Sequence, residues 1–258
     1  MTLPGASSSL GARVAAAGLD WIVPDWPAPP RVCALSTTRN ARAGEKFDLT
    51  RSDPQFETSR SELRRWLPAD PIWLAQAHGI AICDADAASA LARRDLPEAD
   101  GAVARAPNTI CAVHSADCLP VLLTDAQGSV VAAAHAGWRG LAAGVIEATL
   151  ASMRTPPATV LAWLGPAIGP QAFEVGADVV AAHCADDPGA MQCFSPHRTG
   201  KWLADLYALA RRRLERAGVV AIYGGGRCTL SEPGTFYSYR REGVATGRMA
   251  TLIWIAAV

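Results

Sequence analysis

The chain has 258 residues, half of them hydrophobic, which is enough to bury a sizeable core. Its 24 basic residues equal its 24 acidic residues, so no net charge draws the protein to nucleic acid or to an anionic membrane. Any anion-binding site must therefore be local. No apolar run reaches the roughly 18–20 residues that a membrane span needs, so we expect neither membrane nor nucleic acid as a partner.

The cysteines and the first residues of the chain indicate where it resides. The seven cysteines are odd in number, and their spacings form no compact disulfide framework. The N-terminus has no charged segment followed by a continuous apolar core, which a signal peptide would have. We therefore expect a cytoplasmic protein with reduced cysteines, and we expect a monomer.

The first 30 residues differ in composition from the rest. Residues 1–20 are small and polar and then amphipathic, and residues 21–30 contain four prolines, which prevent long regular structure. We assign residues 1–30 to an N-terminal extension and residues 31–258 to one catalytic domain. Residues 39–58 are polar and are broken by glycine and proline, which predicts a long surface loop of the kind that often carries function.

Hydrophobic patterns along the chain predict an α+β fold. Apolar runs predict strands at residues 32–36, 72–76, 109–114, 119–124, 130–135, 160–164, 219–223 and 249–255. Amphipathic patterns predict helices at residues 59–66, 141–153, 177–184 and 203–216. Strands in clusters with helices interspersed are typical of a mixed α+β domain.

Three potential metal ligands lie where predicted strands begin or end. His78 follows a strand in QAHG, Cys118 precedes one in HSADCLPVLL, and His135 ends one in VVAAAHAGWRG. One cysteine and two histidines with an open fourth position form a catalytic type of zinc site. A buried cysteine and two histidines bonded to the backbone are the structural alternative. The five histidines of the chain are too few for a multicopper oxidase.

The segment between Cys118 and His135 predicts a hairpin with two possible registers. A two-residue turn at Ala126 and Gln127 would place the cysteine directly opposite the histidine, with side chains about 5 Å apart. A type I turn with Gly128 as a bulge would shift the pairing by one residue and put the two side chains on opposite faces. The second register would exclude a shared metal ion.

Two arginine-containing segments are candidate anion sites. In HAGWRG, Arg139 stands in a glycine-rich turn at the start of a predicted helix, where its guanidinium could hold phosphate. In GTFYSYRREGVATGR, Tyr239 and Arg240 could pack on a base or sugar and bind its oxygens. A solvated arginine on a tight turn and an ordinary polar hairpin are the structural alternatives.

Five motifs together resemble one family. QAHG, SADCLPVLL, AAAHAGWRG, GPAIGPQAFEVG and YSYRREGVATGRMA occur in this order between residue 32 and the C-terminus. They resemble the laccase-domain family, also called the polyphenol oxidase or purine nucleoside phosphorylase family of the YfiH type. The resemblance implies a single layered α-β-β-α domain, and a zinc ion held by His78, Cys118 and His135. It also implies phosphorolysis of adenosine, inosine, guanosine and methylthioadenosine, with deamination of adenosine.

The resemblance and the residues together suggest a set of roles. Cys118, Arg139 and Asp117 are the candidate catalytic residues, with Asp117 either an acid for the leaving group or a partner that orients a ligand. Arg139, Tyr239, Arg240 and Arg39 are the candidate substrate-binding residues, with phosphate and a purine nucleoside as the ligands. The older family name polyphenol oxidase implies copper as an alternative to zinc.

Other functions are compatible with the same residues. Cys118 could be the nucleophile of a hydrolase, with His135 or His114 as its base. A factor that binds or edits a nucleotide-sugar precursor in cell-wall metabolism is a further alternative. Turnover of inosine with phosphate discriminates between these functions and the phosphorylase.

Overall fold

The computed structural model of the protein describes residues 6–90 and 96–257. Its helices are α1 Ala6–Ala16, α2 Phe56–Arg64, α3 Ala85–Ala90, α4 Trp138–Ala143, α5 Val145–Met153, α6 Ala177–Cys184, α7 Leu206–Arg216 and α8 Tyr239–Glu242. Its strands are β1 Val32–Ser36, β2 Ile82–Asp84, β3 Gly101–Ala104, β4 Ile110–Ser115, β5 Leu119–Asp125, β6 Val131–Ala136, β7 Val160–Leu164, β8 Glu174–Val175, β9 Phe194–Pro196, β10 Trp202–Ala204, β11 Ala221–Gly224 and β12 Met249–Ile255.

Two sheets form the centre of the molecule. The larger sheet has the strand order β11-β7-β5-β6-β3-β2, and the smaller has the order β1-β12-β4. A third sheet of short strands has the order β8-β10-β9. Alternate residues of β4 and β12, such as Val113 and Ile253, pack against Leu122 and Ala133 of the larger sheet, which forms a core between the two sheets.

Helices cover the outer face of each central sheet. Val121 and Leu123 of β5 point the other way and pack in a second core with residues of α5 and α7, such as Ile146 and Leu214. On the far side, the outward residues of the smaller sheet share a third core with α1 and α2; its members include Leu10, Val14, Leu35, Leu63, Leu252 and Trp254. The predicted α-β-β-α layering is confirmed.

Two predicted elements were wrong in ways that shape the site. The segment at 72–76 is no strand of a sheet, because Ile72 bridges to Cys111 and Ala75 bridges to Glu98, so its partner changes within four residues. The helix predicted at 141–153 is broken at Gly144, whose φ of 104° is left-handed. Residues 138–143 form a separate short helix before the break.

Other predicted bounds moved by a few residues. The helix predicted at 203–216 starts at Leu206, because Asp205 caps it by accepting a hydrogen bond from Ala208 N, and residues 202–204 pair in β10. The short elements β2, α3 and β3 and the helix α1 were not predicted. No helix in the described ranges combines the length and the apolarity that crossing a membrane requires.

Both predicted hairpin registers were wrong. Pro120, rather than Cys118, lies opposite His135, a shift of two residues from the direct pairing. The Asp125 carboxylate lengthens the turn by accepting hydrogen bonds from Ser129 N at 2.7 Å and Val130 N at 3.3 Å. A shift of two preserves the face of each side chain, so Cys118 is diagonal to His135 on the same side of the sheet.

Candidate active site

The β5–β6 hairpin and the segment of residues 72–79 bring His78, Cys118 and His135 together. One ligand atom from each lies within 4.8 Å of the others, and Cys118 Sγ is 3.7 Å from His78 Nε2. Burial is graded, because His135 is buried, Cys118 is partly buried and His78 is exposed. The group is therefore open on one side, towards solvent.

The donor set fits a zinc ion. Zn–S bonds of about 2.3 Å and Zn–N bonds of about 2.0 Å place two donors of a tetrahedral site about 3.5 Å apart, close to the observed 3.7 Å between Cys118 Sγ and His78 Nε2. A thiolate with two imidazoles also suits copper. The structure thus has a possible metal site of one cysteine and two histidines.

Asp100, which the sequence analysis did not single out, holds both histidines. Its buried carboxylate lies 2.8 Å from His135 Nδ1, which leaves Nε2 of that ring for another partner. The same carboxylate accepts hydrogen bonds from three successive backbone N–H groups, those of Ala77, His78 and Gly79, at 2.7 to 3.1 Å. These bonds hold His78 in a left-handed conformation with φ of 61°, which a residue other than glycine seldom adopts.

Two glycines of HAGWRG allow the short helix α4 to approach this group. A Cβ at Gly137 would lie 2.8 Å from His78 Cδ2 and 2.9 Å from Cys118 Sγ. A Cβ at Gly140 would lie 2.8 Å from the carbonyl oxygen of Gly79. These glycines are required for close packing against QAHG.

The electrostatics favour a thiolate. Burial raises the pKa of the Cys118 thiol, but the adjacent His135 and then His78 outweigh burial and lower it to about 6. Burial lowers the pKa of His135, whereas Cys118 and Asp100 raise it, to about 9. Asp100 is itself held below its ordinary pKa, because the hydrogen bonds from His135 and Gly79 outweigh its burial. Without a metal, the site thus holds a thiolate beside an imidazolium near neutral pH.

The three side chains open into a cavity of about 680 Å³. Four arginines line it: Arg51, Arg139, Arg240 and Arg248. Within the described ranges none of the four forms an ion pair, and Asp117 is the one acidic side chain among the lining residues. The Arg139 guanidinium stacks on Trp138 at 4.4 Å, and Arg240 donates to the carbonyl oxygen of Glu174 at 3.0 Å. The cavity is therefore electropositive.

Not all of the predicted substrate-binding residues lie at the cavity. Arg139, Arg240 and the half-exposed Tyr239 lie at the cavity as expected. Arg39 does not, because its guanidinium donates to the carbonyl oxygen of Pro233 at 2.7 Å and pairs with Glu242. Its expected role in substrate binding has no support in this geometry.

Asp117 lines the cavity but is bonded within the protein. Its carboxylate accepts hydrogen bonds from Thr229 Oγ1 at 2.5 Å, Ser238 Oγ at 3.0 Å and Arg240 N at 2.7 Å. Its φ of 87° is left-handed. These bonds anchor the segment that carries Arg240 next to Cys118, while the role of Asp117 as an acid stays a prediction.

The alternative base His114 lies on another wall of the cavity. Its ring stacks on Trp73 at 4.4 Å with the planes 5° apart. Burial, followed by the charges of Arg248 and Arg51, lowers its pKa to about 3. Within the described chain it is not part of the group formed by His78, Cys118 and His135.

Sequence reasoning missed Asp100 and Arg51 as candidate site residues. Asp100 precedes a strand of four residues that was too short to predict, so nothing in the local pattern placed it beside the two histidines. Arg51 lies in the predicted 39–58 loop, from which Arg39 was chosen instead.

Comparison with known proteins agrees with this geometry. The family model described as multi-copper polyphenol oxidoreductase laccase matches residues 49–256. The chain is 46% identical over 244 residues to a purine nucleoside phosphorylase of Pseudomonas aeruginosa, covering 91% of this chain and 98% of that one. It is 45% identical over 250 residues to purine nucleoside phosphorylase YfiH of Escherichia coli, with the same coverage of 91% and 98%.

Solved structures show the same fold. A Neisseria meningitidis protein of family DUF152 superposes with a TM-score of 0.86 at 46% identity, covering 92% of this chain and all of that one. YlmD of Geobacillus stearothermophilus superposes with a TM-score of 0.77 at 26% identity, covering 88% and 93%. The chain therefore belongs to the laccase-like family of YfiH and DUF152 proteins.

Proposed function

We propose that the chain is a zinc-dependent purine nucleoside phosphorylase. The observation that carries the proposal is one cavity in which a cysteine and two histidines at metal-binding distance adjoin arginines that pair with no carboxylate of the described residues. Relatives at 45 and 46% identity bear the name purine nucleoside phosphorylase. Adenosine, inosine, guanosine and methylthioadenosine are the proposed substrates.

The reaction transfers a glycosyl group. A phosphate oxygen bonds to the anomeric carbon of the ribose as the bond from that carbon to the purine nitrogen breaks, and the purine leaves with a proton. The products are the free base and ribose 1-phosphate. The protein must therefore hold a phosphate dianion against an uncharged nucleoside.

The cavity residues suit these two ligands. Arg139 and Arg240 hold phosphate, because each guanidinium is oriented within the protein but keeps donors for a ligand. Phe173 lies 5.4 Å beneath Arg240, and Tyr239 presents a half-exposed ring at the mouth. Such rings can pack on the base or the sugar.

Asp100 and the three ligands form the proposed metal centre. When bound by His78, Cys118 and His135, zinc would supply a Lewis acid at the floor of the cavity. Asp100 keeps His135 in the tautomer whose Nε2 can face the metal. Asp117 keeps Cys118 and Arg240 adjacent through its bond to Arg240 N.

The direct test is turnover of inosine. Metal-replete protein with inosine and phosphate is expected to release hypoxanthine, and the release should stop when phosphate is omitted. Cys118→Ala should abolish it, whereas the control Cys184→Ala, in α6 and outside the cavity, should not. Absence of release by the wild type, or equal release by Cys118→Ala, would contradict the proposal.

Deamination of adenosine is a separate proposal that rests on the family resemblance. A metal ion held by His78, Cys118 and His135 would supply an activated water for this reaction, and the exposed side of the group is open to solvent. Release of ammonia and inosine from adenosine in phosphate-free buffer tests it. Failure of this assay would leave phosphorolysis untouched.

One observation favours a second candidate, a cysteine hydrolase. The pKa of Cys118, lowered to about 6, makes its thiol a potential nucleophile beside His135. A thiolate that holds zinc is not free to attack. Iodoacetamide should therefore alkylate Cys118 in metal-free protein and spare it in metal-replete protein; fast alkylation of both would favour the hydrolase.

Three statements about the whole chain stay proposals. We propose that it acts in the cytoplasm as a monomer and that residues 31–258 form its catalytic domain. Light scattering tests the monomer. Because Leu10 and Val14 are buried against the smaller sheet, removal of residues 1–30 should lower the stability of the remaining domain.

A further inference from the structure

Two of the four cavity arginines form a group of their own. Arg51 and Arg248 both line the cavity together with His114, and their segments are joined by the hydrogen bond from Leu49 N to the carbonyl oxygen of Arg248 at 3.2 Å. Arg51 is exposed and makes no hydrogen bond or ion pair with any described residue. Two other polar atoms of this wall, Thr50 Oγ1 and His114 Nε2, are buried without a hydrogen-bond partner in the described chain. The wall thus presents polar groups that the described part of the chain does not satisfy.

The backbone around this pair is held in place. The buried carboxylate of Asp48 accepts hydrogen bonds from Thr50 N at 2.9 Å and from Arg248 N at 3.0 Å, which ties the two arginine-bearing segments together. Arg248 Nη1 donates to the carbonyl oxygens of Thr246 and Gly247 at 2.9 and 3.1 Å. The guanidinium is therefore oriented, while its Nη2 and Nε donate to no described residue.

Arg248 and Arg139 are carried by different sheets. Arg248 directly precedes β12 of the smaller sheet, whereas Arg139 closely follows β6 of the larger sheet. The two sheets pack face to face, so the two arginines approach the cavity from its two layers.

The charge count exceeds what phosphorolysis requires. A nucleoside is uncharged, and two guanidinium groups are enough to neutralise one phosphate dianion. Arg139 and Arg240 supply that pair. Arg51 and Arg248 are then two further cations in the same cavity that pair with no described carboxylate and have no assigned ligand.

We propose that Arg51 and Arg248 form a second phosphoryl-binding subsite, distinct from the one at Arg139 and Arg240. The phosphoryl group can come from inorganic phosphate or from a phosphate ester carried by the substrate, as in a nucleoside 5′-monophosphate. The choice of a purine compound as probe rests on the proposed function. The subsite itself rests on the geometry of this wall.

Calorimetric titration in phosphate-free buffer tests the subsite without turnover. The probes are inosine, inosine 5′-monophosphate and inorganic phosphate, each titrated separately into metal-replete protein. Arg51→Gln should weaken binding of at least one phosphoryl probe roughly tenfold or more and leave inosine unchanged. Arg51→Lys keeps the positive charge but loses the planar guanidinium that can donate two parallel hydrogen bonds, so it should show an intermediate loss of affinity. Arg51 is exposed and has no partner among the described residues, so neither variant should unfold.

Comparing the titrations with inosine 5′-monophosphate and with inorganic phosphate distinguishes the two sources of the phosphoryl group. Loss confined to inosine 5′-monophosphate assigns the subsite to a phosphate ester, and loss for inorganic phosphate assigns it to the free ion. Arg154→Gln is the matched control, because Arg154 is exposed, bonds no described side chain and lies outside the cavity. Unchanged affinity for both phosphoryl probes in Arg51→Gln and in Arg51→Gln/Arg248→Gln would overturn the proposal. Since no cleavage is measured, failure to phosphorolyse inosine would not be mistaken for this result.

Discussion

The cavity has a floor, formed by His78, Cys118 and His135, and walls that carry Arg51, Arg139, Arg240 and Arg248. The two differ in how far hydrogen bonds within the protein hold their side chains. At the floor, Asp100 binds the ring of His135 and the backbone of His78, and Gly137 leaves no space for adjustment. On the walls, the guanidinium groups of Arg51 and Arg139 make no hydrogen bond within the described residues. The floor is satisfied internally and preorganised for a metal, whereas the walls leave their charge for a ligand. Substitutions at the floor should therefore change metal binding, and substitutions on the walls should change substrate binding.

The largest effect is expected from a change of pH, which should alter the zinc affinity of the floor. In the metal-free pair the pKa of Cys118 is about 6 and that of His135 is about 9, so the two hold one proton between these values and two below pH 6. Zinc must displace these protons, so its affinity should fall about tenfold per pH unit from 9 to 6 and more steeply below. Competition with a chelator across this range measures it. No change of slope near pH 6 would contradict the account of the thiolate.

Asp100→Asn tests the support of both histidines. An amide can present Nδ2–H to His135 Nδ1 and favours the wrong tautomer, so zinc affinity should fall about 10- to 100-fold. Asp125→Asn is the matched control, because Asp125 is also a buried carboxylate that accepts backbone hydrogen bonds, but in the β5–β6 turn. The control should lower thermal stability and keep zinc affinity. Equal zinc affinity in both variants would make Asp100 a purely structural residue.

Gly137→Ala tests the close approach of α4. The new methyl group would lie within 3 Å of His78 and Cys118, so one of them must move, at a cost of about 1–3 kcal/mol. We expect zinc affinity to fall about tenfold or more. Gly234→Ala, where a Cβ would meet nothing within 4 Å, should bind zinc as the wild type does. Wild-type affinity in both would show that the floor adapts.

Arg139→Gln tests whether a wall arginine binds phosphate. Losing one charge-assisted partner of phosphate should raise the KM for phosphate roughly tenfold and leave the zinc content unchanged. Steady-state kinetics with varied phosphate and elemental analysis of the same sample provide both values. Loss of zinc in this variant would break the distinction between wall and floor.

Arg39→Gln is expected to have the smallest effect. Because Arg39 bonds Pro233 and Glu242 outside the cavity, the KM for inosine and for phosphate should change by less than about twofold. A rise comparable with that of Arg139→Gln would restore the substrate role that the sequence suggested.

The layered fold was predictable because long apolar strands dominate it. The runs that became β5, β6 and β12 are buried at every position, and such runs are conspicuous in a sequence. Short elements were not predictable, because β2 and β3 have three and four residues and depend on their neighbours for pairing. The break at Gly144 also escaped prediction, since a single glycine inside a helical pattern is often tolerated.

The candidate site was predictable only in part. The strand ends placed His78, Cys118 and His135 near one another, but the turn chemistry that decides their face was misjudged by two residues. Asp125 lengthened the turn through bonds to Ser129 and Val130, which local turn preferences did not indicate. Asp100 and Arg51 reach the site through tertiary packing alone, so no local spacing could indicate them.

Metal content tests the central claim most directly. Protein purified with zinc and then dialysed should retain one zinc ion per chain in the wild type and in Cys184→Ala, and none in Cys118→Ala. Elemental analysis with a matched protein concentration gives the ratio, and circular dichroism checks that each variant is folded. Equal zinc in Cys118→Ala and the wild type would contradict the assignment of His78, Cys118 and His135 as the metal site.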